Sequence, residues 1–217
     1  MKILVFDTET TGLPEKGNPS FYDTWKWPFI IQISYIYYDT DTNIVVGISD
    51  NIINLPEEVQ ITRESENIHK ISKEISKSHG KNIIDVLKEF KLFVDDCDMI
   101  IGHNVNFDKN IVIVESIRNN IERIFIDNSK FYCTMKNSKD ICKIEKVNRF
   151  GNIYYKYPKL IELYKHYFGI EPDGLHNSMI DVLVTLRCFG MMMFNKDFEK
   201  YSENLNAIIS LSSLKFN

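Results

Sequence analysis

Nowhere does this sequence hold an apolar run approaching the roughly eighteen residues that a membrane span needs, so no membrane association is expected. Closely spaced cysteine pairs are missing too: Cys97, Cys133, Cys142 and Cys188 form no C-x-x-C unit and no zinc-ligand spacing. That excludes a disulfide framework and a cysteine-bound zinc, and it predicts reduced, partly buried thiols. The first residues carry no basic stretch leading into an apolar core and a small-residue cleavage site. An intracellular protein, cytoplasmic or in the nucleus or nucleoid, is therefore expected. Internal repeats and low-complexity linkers are absent as well. Of the 217 residues 44% are apolar and 26% charged, the composition of an ordinary globular chain able to bury a sizeable core unaided. One domain over residues 1–217 is expected, with a core over about 1–194 and a C-terminal helix over about 197–211.

The order of elements reads as α/β. Residues 2–6, Lys-Ile-Leu-Val-Phe, form an apolar, β-prone run that predicts a buried strand. Gly12, Pro14, Gly17 and Pro19 then mark a long loop, and residues 29–38 and 44–53 read as two further strands. Between those two, Asp39-Thr40-Asp41-Thr42-Asn43 supplies turn formers, which predicts an antiparallel meander. Residues 55–81 are polar and punctuated, with room for short helices. From Asn82, a plausible N-cap, Ile83, Leu87, Phe90 and Val94 recur at helical spacing. Residues 99–101 predict a short strand, with a helix following Phe107-Asp108 to about Asn119. Residues 131–134 predict another strand, then helices over 160–167, ended by Gly169, and over 178–194. Strands first and alternating elements later predict a mixed sheet flanked by helices.

Carboxylates recur in three suggestive settings. Asp7 and Glu9 end the first strand, and strand residues two apart point the same way. Acids aimed into one volume repel unless a cation sits between them, and hard oxygen ligands favour magnesium or manganese. Asp108 follows Gly102-His103-Asn104, and Asp181 lies inside the apolar stretch Met179-Ile180-Asp181-Val182-Leu183, where a carboxylate needs a cation or a donor nearby. His176 precedes Asp181 by five residues, about 140° on an ideal helix, so the two cannot share a helical face. His176 is thus expected in the loop after Gly174, with Asp181 one turn inside the helix and facing the sheet. Taken singly, each acid has an ordinary explanation as a turn former or a helix-dipole partner; His103 alone reads as a hydrogen-bonded structural residue.

In this order and context, Phe6-Asp7-Thr8-Glu9-Thr10-Thr11-Gly12-Leu13, Gly102-His103-Asn104-Val105-Asn106-Phe107-Asp108 and Leu175-His176-Asn177-Ser178-Met179-Ile180-Asp181 resemble the motifs of the DEDDh (DnaQ-like) 3′→5′ exonuclease family. The resemblance extends from Ile3 to about Phe189. The sister subclass has a tyrosine four residues before the last aspartate, where this chain has Asn177; the histidine five before assigns the DEDDh subclass. The resemblance implies an RNase H-like fold with a mixed five-stranded sheet, and two divalent ions, Mg2+ or Mn2+. By the same resemblance Asp7 bridges both ions, Glu9 and Asp181 hold the first, Asp108 supports the second, and His176 is the general base. Imidazole changes protonation near neutral pH, which suits that role. Two ions about 3.5–4 Å apart can serve both ends of a phosphodiester displacement. Thr10, Leu13, Asn104 and Phe107 would meet the terminal nucleotide.

The expected activity is release of nucleoside 5′-monophosphates from the 3′ end of DNA, preferably single-stranded, in proofreading or end-trimming. RNA is the alternative substrate, and a DNA polymerase is the candidate protein partner. A non-catalytic nucleic-acid-binding module is the reading from another class; the presence of all four acids and the histidine argues against it. Net charge is −4, unpromising for a polyanion ligand, yet residues 136–165 carry eight basic side chains against Asp140, Glu145 and Glu162, a local net of +5. Phe150, Tyr154, Tyr155 and Tyr157 interleave with these charges, and Gly151-Asn152 reads as a hairpin turn. The segment is either a path for the strand or a solvated face. Tyr22, Trp25 and Trp27 are read as plugging the sheet edge, with base stacking the alternative.

Overall fold

The computed structural model describes residues 1–125 and 127–211. Strand β1 (Lys2–Thr10), β2 (Ile30–Asp39) and β3 (Ile44–Ile52) form the expected antiparallel meander. Helices α1 (Arg63–His69), α2 (Lys73–His79) and α3 (Ile83–Asp96) follow, and β4 (Met99–Gly102) then pairs parallel to β1. Next come α4 (Val105–Arg118) and β5 (Phe131–Cys133), the latter parallel to β4, completing a five-stranded sheet ordered β3-β2-β1-β4-β5. Short α5 (Thr134–Asn137) and α6 (Lys139–Cys142) lead to a separate hairpin, β6 (Glu145–Val147) and β7 (Ile153–Tyr155). Helices α7 (Leu160–Phe168), α8 (Ser178–Phe194) and α9 (Glu203–Leu211) close the described chain.

β1 is the central strand, and its alternation sorts the layers. Leu4 and Phe6 point to the side packed by Val86, Leu87 and Phe90 of α3 and by Ile111 and Val112 of α4. Ile3 and Val5 point to the other side, against Val182, Leu183, Leu186 and Phe189 of α8 and Leu205 and Ile209 of α9. Asp7 and Glu9 continue the odd-numbered row, so both emerge on the α8 side. The helical spacing read from Asn82 is fulfilled: its side chain accepts from the Ile84 N–H, and α3 buries Val86, Leu87, Phe90 and Val94. Gly169 ends α7 at φ +75°, a backbone conformation glycine adopts without a Cβ penalty.

Some expectations need correcting. The helix after the second motif begins at Val105, not after Phe107-Asp108. Asn104 adopts a left-handed conformation at φ 68°, which turns the chain straight out of β4 and brings Phe107 and Asp108 into the first helical turn. The helix expected over 197–211 is broken into a 3-10 turn, Phe198–Tyr201, and α9. The break has a cause in the Arg187 ion cluster. Arg187 on α8 holds Asp197 through Nε and Nη2, at 3.0 and 2.8 Å, and meets Glu199 at 2.8 Å. Those bonds fix the start of the segment, while Ser202 is extended and accepts from the Leu205 N–H to open α9. The aromatic loop also divides: Trp27 is buried against Phe21, whereas Tyr22 and Trp25 stay exposed. The four cysteines are free thiols, as expected. Among the described residues no helix is long and apolar enough to cross a membrane.

Arg187 and Asp197 are both buried, so truncating one strands the other's charge. Arg187→Met is expected to cost about 3–5 kcal/mol in urea unfolding. The double variant Arg187→Met/Asp197→Leu should recover part of that loss, because the buried Asp197 charge is gone and only the more exposed Glu199 carboxylate loses its partner.

Candidate active site

Three of the predicted acids converge. Asp7 and Glu9 from β1 and Asp181 from α8 each offer a carboxylate oxygen within 4.8 Å of the others. The placement of Asp181 follows from a tightly built helix start. Gly174, at φ +76°, lies so close to Ile180 that a Cβ would stand 2.6 Å from its Cδ1, and His176 is left-handed at φ 73°. The Asn177 side chain then caps α8 by accepting from the Met179 and Ile180 N–H groups. Asp181 accordingly sits in the first turn, facing the sheet. One of its oxygens accepts the His176 backbone N–H at 3.3 Å; the other, Oδ1, is buried with no hydrogen-bond partner. His176 itself is exposed at the entrance to the helix.

Asp108 arrives from the opposite layer. Being on α4, it reaches the end of β1 from the other side of the sheet and is buried there. Its Oδ1 accepts from both the backbone N–H and the hydroxyl of Thr8, at 3.0 and 2.8 Å. Asp108 therefore stands beside the three-acid cluster rather than within it, close enough to repel Asp7, Glu9 and Asp181 electrostatically.

The electrostatics record the cost of this convergence. Burial, then repulsion from Asp108, Asp181 and Glu9, holds the Asp7 carboxyl well above the usual range. Burial, followed by Asp181 and Asp108, pushes Glu9 up to about 8. Burial raises Asp181 to about 7 and Asp108 to about 6. Four acids with all pKa values raised, and one with an orphaned buried oxygen, form a donor set suited to a hard divalent cation.

A layer of polar residues that the sequence reading passed over holds this set in place. Ser178 donates from its hydroxyl to the Asp7 carbonyl at 2.6 Å, and its N–H donates to the Gln32 side chain. Gln32 and Ser34 both donate to Asp50 on β3, at 2.8 and 2.7 Å. The available signal was Gln32 and Ser34, two polar residues two apart in an otherwise apolar strand. His103 is the structural residue expected: Nδ1 meets the Thr134 hydroxyl at 3.0 Å and Nε2 the Pro158 carbonyl at 3.1 Å.

Beside the acids lies a cleft of about 450 Å³. Glu9, Thr10, Leu13 and Phe107 line one part of it, and α1 supplies a wall of Glu64, Ser65, Ile68 and His69. Leu13 is 81% exposed, a large apolar side chain offered to the cleft rather than to the core. Asn104 is exposed at the start of α4, outside this lining. The α1 wall was not legible in sequence. His69 is buried, accepts the Ile71 N–H at Nδ1, and is pushed to lower pKa by burial.

A mixed five-stranded sheet with acids at the end of its central strand and on helices from both layers is the architecture of an RNase H-like nuclease. The chain belongs to the DEDDh-type exonuclease family: the RNase T model, described as Exonuclease, matches residues 4–189. No curated protein matches the sequence significantly. Among solved structures, Escherichia coli Exonuclease I in complex with a dT13 oligonucleotide is similar at TM-score 0.67 and 17% identity, covering 92% of this chain and 42% of that one. The same enzyme with a dA16 oligonucleotide gives 0.64 at 19% identity, covering 92% and 42%. Exonuclease I from Methylocaldum szegediense gives 0.64 at 15% identity, also covering 92% and 42%. The chain thus spans less than half the length of these enzymes, and at such identities the likeness concerns the fold.

The raised carboxyls carry a pH signature. Below about pH 4 they are protonated whether the chain is folded or not; above it the unfolded chain releases protons that the folded site keeps, until Glu9 titrates near 8. The metal-free site is therefore destabilising as pH rises through this window. In EDTA, Tm is expected to fall between pH 5 and pH 8, and magnesium should restore more of it at pH 8 than at pH 5. Glu9→Gln/Asp181→Asn should flatten both responses in a thermal melt.

Proposed function

We propose that residues 1–217 form a single exonuclease domain that removes nucleoside 5′-monophosphates from the 3′ end of DNA. The observation that carries this reading is the buried, unpartnered Oδ1 of Asp181, on a carboxylate that offers an oxygen within 4.8 Å of oxygens of Asp7 and Glu9. Asp7, Glu9 and Asp181 would hold magnesium or manganese, with Asp108 supporting a second ion from beside the cluster. Such ions, when bound, polarise the scissile phosphate, acidify the attacking water and stabilise the departing 3′-oxygen.

The remaining roles fall to the chain's own side chains. His176 takes the proton from the attacking water, and its exposed position before α8 leaves it free to approach. Asp181 ties the His176 backbone through its second oxygen, which couples the base to the acid cluster. The terminal nucleotide enters the cleft beside Glu9, where Leu13 and Phe107 offer apolar faces to the base and the Thr10 backbone meets the sugar. Asn104, exposed at the start of α4 and outside the cleft lining, would meet the nucleotide only from beyond that lining.

Single-stranded DNA is the preferred substrate. The oligonucleotides dT13 and dA16 in the Escherichia coli Exonuclease I complexes support that preference. RNA is the alternative, since the same acids can hydrolyse either polymer and the 2′-hydroxyl is read by separate contacts. The domain acts alone or beside a DNA polymerase.

Matched 5′-labelled DNA and RNA oligonucleotides, incubated with magnesium or manganese, test this directly. A ladder shortening from the 3′ end is expected, faster on DNA and abolished by EDTA or a 3′ block; failure to cleave either polymer with either metal would refute the assignment. Asp7→Ala and Asp181→Ala should abolish turnover. His176→Ala should keep the magnesium-induced rise in Tm while slowing cleavage by about 10²–10⁴.

A further inference from the structure

The β6–β7 hairpin is not needed by the acid cluster or by the sheet. All six of its strand residues are exposed, and Phe150 at the turn and Ile153 beside it are 73% and 66% exposed. A two-stranded ribbon packed against nothing is marginal in water, so its shape needs its own support. That support is local. The Asn148 side chain accepts from the Phe150 and Asn152 N–H groups, Asn148 and Asn152 pair through their backbones, and Gly151 takes φ +81°. The turn is thus fixed while the aromatic side chains around it stay in water.

The charges of the segment are unequally used. On the α7 side Lys156 pairs with Glu162 and Lys165 with Glu171. Among the described residues no carboxylate lies within ion-pair distance of Lys143, Lys146 or Arg149, and the Arg149 guanidinium instead stands 4.7 Å from the Phe150 ring centre. Uncompensated cations alternate here with exposed Phe150, Tyr154, Tyr155 and Tyr157, in a chain that is otherwise acidic. Phosphates meet the cations and unpaired bases meet the rings, a combination suited to a single strand and not to a duplex or an apolar peptide.

The root of the hairpin is joined to the active site. Pro158, three residues past β7, is held at its carbonyl by His103 Nε2, and His103 stands directly before Asn104 and α4, which carries Asp108. The Thr134 hydroxyl, at the start of α5, meets the other nitrogen of His103 and also donates to the Gly102 carbonyl, so the stretch of chain that contains the hairpin is tied at Thr134 and at Pro158 to the end of β4. We infer that the β6–β7 hairpin is a single-strand nucleic-acid-binding arm that holds substrate nucleotides upstream of the 3′ end being cleaved, using Lys143, Lys146, Arg149 and Phe150. The inference rests on the proposed exonuclease reading and extends it to the body of the substrate.

The arm makes substrate length matter. Kinetics on 5′-labelled single strands of 4 and 16 nucleotides should be compared for the wild-type chain and Lys143→Ser/Lys146→Ser/Arg149→Ser. In the wild type the longer strand is preferred. In the variant that preference, as the ratio of kcat/KM values, should fall about tenfold, and the logarithmic salt dependence for the 16-mer should lose about 2 in slope, near 0.7 per phosphate contact. Phe150→Ala should lower the same ratio while keeping the salt slope, since it removes a stacking face and no charge.

Equal ratios and slopes in the wild type and the triple variant would overturn the inference and turn the arm toward a protein partner. A wild-type chain that cleaves neither length would refute the exonuclease reading alone. Fluorescence anisotropy of the 16-mer would then decide the arm separately: weaker, less salt-dependent binding by the triple variant supports it, and identical binding curves refute it. Unchanged melting temperatures would show that the substitutions leave the fold intact.

Discussion

Repulsion among closely set, largely desolvated carboxylates is the constraint around which the rest of this structure is arranged. Asp7, Glu9 and Asp181 converge to within 4.8 Å, and Asp108 adds its charge from the side. Left in a flexible setting, such groups would swing apart into water. Here they cannot, because Asp7 and Glu9 are fixed by the pairing of β1 with β2, and Asp181 by a helix whose first turn is capped at Asn177 and bonded through Ser178 to the Asp7 carbonyl. The scaffold therefore keeps these acids in a position that a cation would stabilise.

Strand and helices divide the work in a way that follows from period-two alternation. The odd-numbered row of β1 runs apolar through Ile3 and Val5 under α8 and then turns acidic at Asp7 and Glu9, just where α8 begins. The even-numbered row, Leu4 and Phe6, anchors α3 and α4, and its next member, Thr8, presents its hydroxyl to Asp108. One strand thus sets two of the clustered acids on one side and the seat for the fourth acid on the other. Gln32, Ser34 and Asp50 extend the same polar row across β2 and β3, so the sheet supports the site over three strands.

Charge is distributed to match. The net charge of −4 conceals an acidic body and a basic segment over residues 136–165, and the fold leaves part of that segment exposed as the β6–β7 hairpin. His103 links the two regions. Its ring, bonded to Thr134 at the start of α5 and to Pro158 just past β7, fastens the chain on both sides of this segment to the turn that leads into α4.

The sequence by itself determined the meander, the positions of Asp7 and Glu9 at the end of β1 and the start of α8, because these depend on local alternation, capping and turn chemistry that neighbouring residues settle between them. It placed α8 at residues 178–194 and His176 before it, and both stand in the structure. The early start of α4 escaped it, because a left-handed Asn104 leaves no mark in periodicity. The break at Ser202 escaped it too, since the Arg187 cluster that fixes Asp197 joins residues from two separate segments. Only the tertiary structure decided that Asp108 stands beside the other acids, that α1 walls the cleft with Ile68 and His69, and that Gln32 and Ser178 lock the helix to the strand. Each of those depends on contacts between residues far apart in the chain, whose distances are set by how two helical layers pack across one sheet.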